Sequence, residues 1–106
     1  MTDILKSLEN TILERRDAEP ESSYVASLRA KGRAKMAEKL GEEAVEAVIA
    51  AIQDDKMAMT GEAADLLFHL MVLLADMDLS LDDVTAELAR REGLSGLEEK
   101  AARGAG

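Results

Sequence analysis

The sequence predicts an all-α protein, a bundle of about four to five helices, and three observations carry that reading. Ala, Leu, Met, Glu, Lys and Arg, all good helix formers, dominate the composition, while aromatics are reduced to one Phe and one Tyr with no Trp. Apolar residues recur at three- and four-residue steps over most of the chain. Capping and breaking residues fall between those periodic stretches at Ser23, Gly32, Asp55 and Ser80.

Taken in order, Thr2 can open a first helix in which Ile4, Leu5, Leu8, Ile12 and Leu13 line one face, and this helix should stop before Pro20. Ala18 to Ser23 reads as a loop. Ser22 or Ser23 then starts a short helix through Tyr24, Val25 and Leu28 that ends near Gly32. A longer helix is expected from about Arg33 to Gln53, with Gly41 tolerated inside it at about 1 kcal/mol relative to Ala. Asp54 and Asp55 break the chain, and a further helix covers about Met57 to Ala75. After a turn over Asp76 to Leu79, Ser80 with Asp82 and Asp83 starts a last amphipathic helix ending at Gly93. Residues 94–106 read as a brief helical turn and a frayed tail. The 106 residues make one domain, residues 1–106, with no internal repeat.

Ala44 to Ile52 is apolar on every side apart from Glu46, and Leu66 to Ala75 is apolar all round except for His69. Two such helices need neighbours that a short chain cannot supply, so the bundle is expected to be completed by a twofold homodimer.

The formal net charge is −9, with 22 acidic against 13 basic residues. Such a surface repels nucleic acid and anionic lipid, which speaks against nucleic-acid and membrane partners. A small anionic ligand is still accessible where cations neutralise it locally. The chain has no cysteine, hence no disulfide framework, Cys-based zinc site or thiol nucleophile. No signal peptide is visible and no apolar run approaches the roughly 20 residues of a membrane span, so the expected location is the cytoplasm.

Glu43 with Glu46, and Glu62 with Asp65, are acids three residues apart on two neighbouring helices. Side chains at that spacing converge and can grip one cation. Antiparallel packing of the helices would aim both pairs at a common point, suited to Mg²⁺ or Mn²⁺. Spacing by itself carries no weight here, because a chain this acidic produces such pairs by chance. What separates these two from Glu14/Asp17 is context. Glu14/Asp17 sits among Arg15, Arg16 and Glu19, an ordinary solvated face, whereas the other two pairs border apolar helix runs. Charges held there cost several kcal/mol unless paired or metal-bound. Surface acids on a helix bundle weigh equally against a metal site at this point.

Arg29, Lys31, Arg33, Lys35 and Lys39 concentrate just upstream. The plainer account is a line of intrahelical ion pairs, and the functional one a set of phosphate clamps. His69, the only histidine, stands one turn after Asp65. It either orients a carboxylate or touches substrate, while a hydrogen-bonded structural role is the plainer reading. The six Met read as core filler.

Read together, Ser23-Tyr24-Val25-Ala26-Ser27-Leu28, Gly32, Lys39-Leu40-Gly41-Glu42-Glu43-Ala44-Val45-Glu46 and Glu62-Ala63-Ala64-Asp65-Leu66-Leu67-Phe68-His69-Leu70 resemble the phosphoribosyl-ATP pyrophosphatases. The Ser95-Gly96-Leu97-Glu98-Glu99-Lys100 ending fits that family as well. The Gly-Glu-Glu-x-x-x-Glu and Glu-x-x-Asp blocks are shared with the wider superfamily of all-α nucleoside triphosphate pyrophosphatases. The Ser-Tyr segment and the Ala-Asp-Leu-Leu-x-His-Leu run point to the histidine-pathway member.

The resemblance implies Mg²⁺-dependent hydrolysis of phosphoribosyl-ATP to phosphoribosyl-AMP and pyrophosphate by a homodimer. It implies metal ligands at Glu43, Glu46, Glu62 and Asp65, and a catalytic role at Glu42 and Glu46. Glu42 would bind metal, bridge through water or act as a base. It places Ser23, Tyr24, Lys35, Lys39 and His69 where substrate is met. Phe68 stands where relatives commonly have Tyr. Some family members are fused to a zinc cyclohydrolase. Without Cys and with one His, this chain has no material for that activity and is expected to be the free-standing pyrophosphatase. The rival readings are a housekeeping nucleoside triphosphate pyrophosphatase, a non-catalytic helical interaction module and a regulatory metal-binding protein without turnover.

Overall fold

A computed structural model describes residues 2–92, the side chains of residues 2 and 3 aside, and contains five α-helices with no strand among the described residues. They are α1 (Thr2–Arg15), α2 (Tyr24–Lys31), α3 (Arg33–Ile52), α4 (Lys56–Asp76) and α5 (Leu81–Arg91). The expected helix end at Gly93, the tail over residues 94–106 and the Ser95 to Lys100 motif lie outside the described residues.

Each boundary has a local cause. Pro20 begins one turn of 3-10 helix, Pro20–Ser22, inside the stretch expected to be plain loop. Pro fixes φ near the helical value and suits such a first position. The Ser23 hydroxyl accepts from the Ala26 N–H at 3.2 Å and caps α2. Gly32, at φ 98°, makes the bend from α2 to α3 that a side chain would oppose. Asp54 adopts φ 53° in the turn after α3, and the Asp55 carboxylate caps α4 by accepting from the Ala58 N–H at 3.0 Å. Ser80 and Asp83 form a reciprocal capping box at the start of α5.

Helices α3 and α4 form a long antiparallel hairpin. α1 and α2 pack against its open end, where Ile12, Val25, Leu28, Met36, Met71, Val72 and Ala75 make the core. Two guanidinium groups close the end of α4: Arg16 donates to the Ala75 carbonyl at 2.9 Å and Arg33 to the Asp76 carbonyl at 3.0 Å. Glu9 of α1 accepts the Leu81 N–H at 2.7 Å and so ties α5 to α1.

The half of the hairpin nearest its turn has no such cover among the described residues. Met36, Glu43, Ala47 and Ala50 are the buried residues of α3, all on one side of it. Val45, Val48, Ile49 and Ile52 form an apolar stripe on the opposite side, each about half exposed or more. Met57 and Leu67 of α4 are exposed too. α4 is the one described helix long and apolar enough, by length and composition, to cross a membrane. It reaches that length only by including Glu62 and Asp65, which is why its sequence shows no uninterrupted apolar run of that size.

Candidate metal centre

The two acid pairs meet across the hairpin. Glu43, Glu62 and Asp65 each present an oxygen such that all three lie within 4.8 Å of one another. Glu46 adjoins them, close enough to Glu43 and Glu62 to raise the affinity of both for a proton. The cause is the register of the hairpin. Glu43 and Asp65 are equidistant in sequence from Asp54, as are Glu46 and Glu62, so antiparallel helices turning at Asp54 bring each α3 acid level with one from α4.

Bare carboxylates do not suit this arrangement. Burial, then Glu46 and Asp65 beside it, hold the Glu43 carboxyl above the ordinary carboxylate range. Burial and then Glu46 do the same to Glu62. Glu43 is only 9% exposed, and its Oε2 is the one buried side-chain oxygen or nitrogen without a hydrogen-bond partner among the described residues. A buried carboxyl without a partner that faces other acids is relieved by a bound proton or by a cation. All-oxygen donors select a hard divalent ion over a soft one, so the residues present fit Mg²⁺ or Mn²⁺.

The remaining candidates line one flank of this cluster. Lys39 pairs with Glu42 at 3.3 Å, and its ammonium is held above the ordinary lysine range by Glu42 first and then by Tyr24 and Glu43. Tyr24 and Glu43 therefore both stand near it. Lys35 pairs with Glu38 at 2.8 Å, one turn further from the cluster. The Ser23 hydroxyl is buried as the α2 cap. His69 is buried at 6% exposure, with Tyr24 Oη 3.0 Å from its Nε2 and the Asp65 carbonyl 2.9 Å from its Nδ1. Tyr24 is half exposed.

Two of the upstream cations are elsewhere. Arg33 binds Asp76 at 2.8 Å, and Arg29 pairs with Asp17 and lies 3.9 Å from Asp76, at the open end of the hairpin. Arg29 and Arg33 are clasps between elements, whereas Lys35 and Lys39 each make an ion pair within α3, with Glu38 and Glu42. Asp17 is solvent-exposed, as expected of a solvated face, and also pairs with Arg29. The Tyr24–His69 bond joins residues far apart in sequence, and no spacing rule announces it. A recess of about 420 Å³ lies at the hairpin turn among Ala50, Asp54, Asp55, Lys56 and Met59 and not over the carboxylates.

Residues 5–92 match the family model for phosphoribosyl-ATP pyrophosphohydrolase. The chain is 65% identical over 103 residues to a phosphoribosyl-ATP pyrophosphatase of Rhizorhabdus wittichii, covering 97% of both proteins. It is 63% identical over 100 residues to one from Erythrobacter litoralis, with 94% of this chain and 96% of the relative aligned. Against one from Novosphingobium aromaticivorans the identity is 59% over 101 residues, covering 95% and 94%.

Proposed function

The chain belongs to the phosphoribosyl-ATP pyrophosphohydrolase family, and from that premise we propose that it hydrolyses phosphoribosyl-ATP to phosphoribosyl-AMP and pyrophosphate, the second step of histidine biosynthesis, with Mg²⁺. The observation that carries the metal requirement is the convergence of Glu43, Glu62 and Asp65 within 4.8 Å, beside Glu46. Those four carboxylates are the proposed ligands, and Mn²⁺ fits the same donors. When bound, the ion supplies charge neutralisation of the phosphates and acidification of a water for attack at the α–β phosphoanhydride.

The chain's own residues supply the rest. Glu42 is exposed and pairs through one oxygen with Lys39, its one ion-pair partner among the described residues, so the other oxygen can accept a proton from the attacking water. Glu46, between Glu43 and Glu62, shares in that role by fixing where the water stands. The Lys39 ammonium can leave Glu42 for a phosphate oxygen when substrate arrives, which frees the Glu42 carboxylate as the base is needed. Lys35 extends the positive flank by one turn. Tyr24, with the backbone around Ser23, forms the wall that substrate meets on the α2 side.

The same reading takes the stripe of Val45, Val48, Ile49 and Ile52 to be covered by a second copy in a twofold homodimer. The direct test is pyrophosphate release from phosphoribosyl-ATP with Mg²⁺ and with EDTA, beside ATP, dCTP and dUTP. Metal-dependent release from phosphoribosyl-ATP alone is expected. Release from the common nucleotides instead would assign a housekeeping pyrophosphatase, and release from none would leave a non-catalytic bundle.

A further inference from the structure

Tyr24 stands in the first turn of α2, and its hydroxyl lies 3.0 Å from Nε2 of His69 on α4. The other ring nitrogen, Nδ1, lies 2.9 Å from the carbonyl oxygen of Asp65. A carbonyl oxygen only accepts, so Nδ1 carries the proton. The neutral ring then offers Nε2 as an acceptor, and the Tyr24 O–H donates to it. Both nitrogens are used inside the protein. The ring is also walled edge-on by Tyr24 and Phe68, with centroids 5.9 and 5.2 Å away, and is 6% exposed. No polar atom of the imidazole remains for a substrate.

We infer that His69 is a positioning residue, which fixes Tyr24 and the start of α2 against the acidic wall of α4 so that the exposed half of the Tyr24 ring meets the substrate beside Lys39. The inference rests on the proposed hydrolysis and refines it, moving His69 from substrate contact to support. Tyr24 is held twice over: its hydroxyl by His69, and its ring by Phe68, stacked at 6.0 Å and 23°. The bond from His69 runs to the backbone of Asp65 and not to its carboxylate, so loss of the imidazole leaves the four carboxylates in place. The cost therefore falls on substrate binding and not on the chemical step.

The test uses Tyr24→Phe, His69→Leu, His69→Gln and the Tyr24→Phe/His69→Leu double variant in the full chain. Losing one buried hydrogen bond is expected to raise KM for phosphoribosyl-ATP about five- to tenfold in each of Tyr24→Phe and His69→Leu, with kcat nearly unchanged. The double variant should match either single one, because both break the same link. His69→Gln, whose amide oxygen can accept the Tyr24 proton, should recover most of the loss.

A readout independent of turnover comes from ¹⁵N NMR of the single histidine. Protonation at Nδ1 and a shift of the Nε2 resonance in Tyr24→Phe are expected. Additive effects, a fall in kcat at constant KM, an unchanged KM in Tyr24→Phe or an Nε2-protonated ring would overturn the inference. If His69→Leu loses its helical spectrum, Tyr24→Phe and His69→Gln alone decide, by a raised KM in the first and a near-normal one in the second. Absence of turnover in the unmutated protein would instead sink the functional reading, with the NMR arms still testing the pair.

Discussion

Glu43 on α3 and Asp65 on α4 are separated by a whole helical hairpin, yet their carboxylate oxygens lie within 4.8 Å of each other. Three residues, Gln53 to Asp55, make the turn between the helices. One residue added to the first turns of α4, ahead of Glu62, would rotate Glu62 and Asp65 by about 100° about the helix axis and carry them out of the groove unless the turn compensated. The site is thus as much a property of the turn as of the acids. Asp54 at φ 53° and the Asp55 cap hold the register that the carboxylates need.

Replacing Glu46 by Gln or Asp65 by Asn should lower turnover by at least about two orders of magnitude, on the scale of losing a group essential to a metal site. The far-UV circular dichroism should stay helical, since each change relieves repulsion among the acids. Near-normal rates in either variant would remove these residues from the ligand set.

Mg²⁺ should raise the melting temperature. A ligand at a hundred times its dissociation constant stabilises the native state by about 2.7 kcal/mol. In a domain of this size that is worth on the order of 10 °C or more. The rise should shrink sharply in Glu46→Gln, and differential scanning fluorimetry across a Mg²⁺ series is sufficient to see it. A melting temperature indifferent to Mg²⁺ and Mn²⁺ would refute the metal site.

Ser23, Gly32 and Ser80 carry local signals, and the structure uses them where they stand: a hydroxyl cap, a positive φ and a capping box. The two acid pairs were legible on their own helices for the same reason, since three-residue spacing is a local property. Their meeting followed once the helices were antiparallel. What sequence spacing could not supply was the partner of each long side chain. Arg29 and Arg33 sit next to Lys35 in sequence, but the bend at Gly32 and the start of α3 aim them at Asp76. The Tyr24–His69 bond likewise depends on how α2 lies across α4, which many distant apolar contacts decide together.

Without metal, the protein should become more stable as the pH falls from neutrality toward the ordinary carboxylate range. Glu43 and Glu62 bind protons more tightly folded than unfolded, because burial and their acidic neighbours raise both above 4.5. In the window above 4.5 the native state therefore holds more protons, and stability declines as pH rises. Below it the sign reverses. Glu87, drawn down to about 2 by Arg90 and Arg91, and Glu38, lowered by Lys35, favour the folded state only while ionised. Urea unfolding between pH 3 and pH 8 should show a maximum in the mildly acidic range, flattened on its alkaline side in Glu43→Gln. Stability rising steadily up to neutral pH in EDTA would contradict this account of the cluster.

Val48 and Ile49 stand on the side of α3 away from Glu43, 59% and 49% exposed, in a stripe continued by Val45 and Ile52. Leaving four aliphatic side chains of one helix face in water forgoes roughly 1.5–3 kcal/mol for each that could be fully buried. A second copy laying the same stripe against this one recovers that burial without any new sequence, since a twofold contact is self-complementary. Sedimentation equilibrium should therefore find twice the mass of one chain. Val48→Asp should yield single chains of lower melting temperature, because two buried like charges would face each other near the axis. A monomer for the unmutated chain at micromolar concentration would refute the pairing of this face with its own copy.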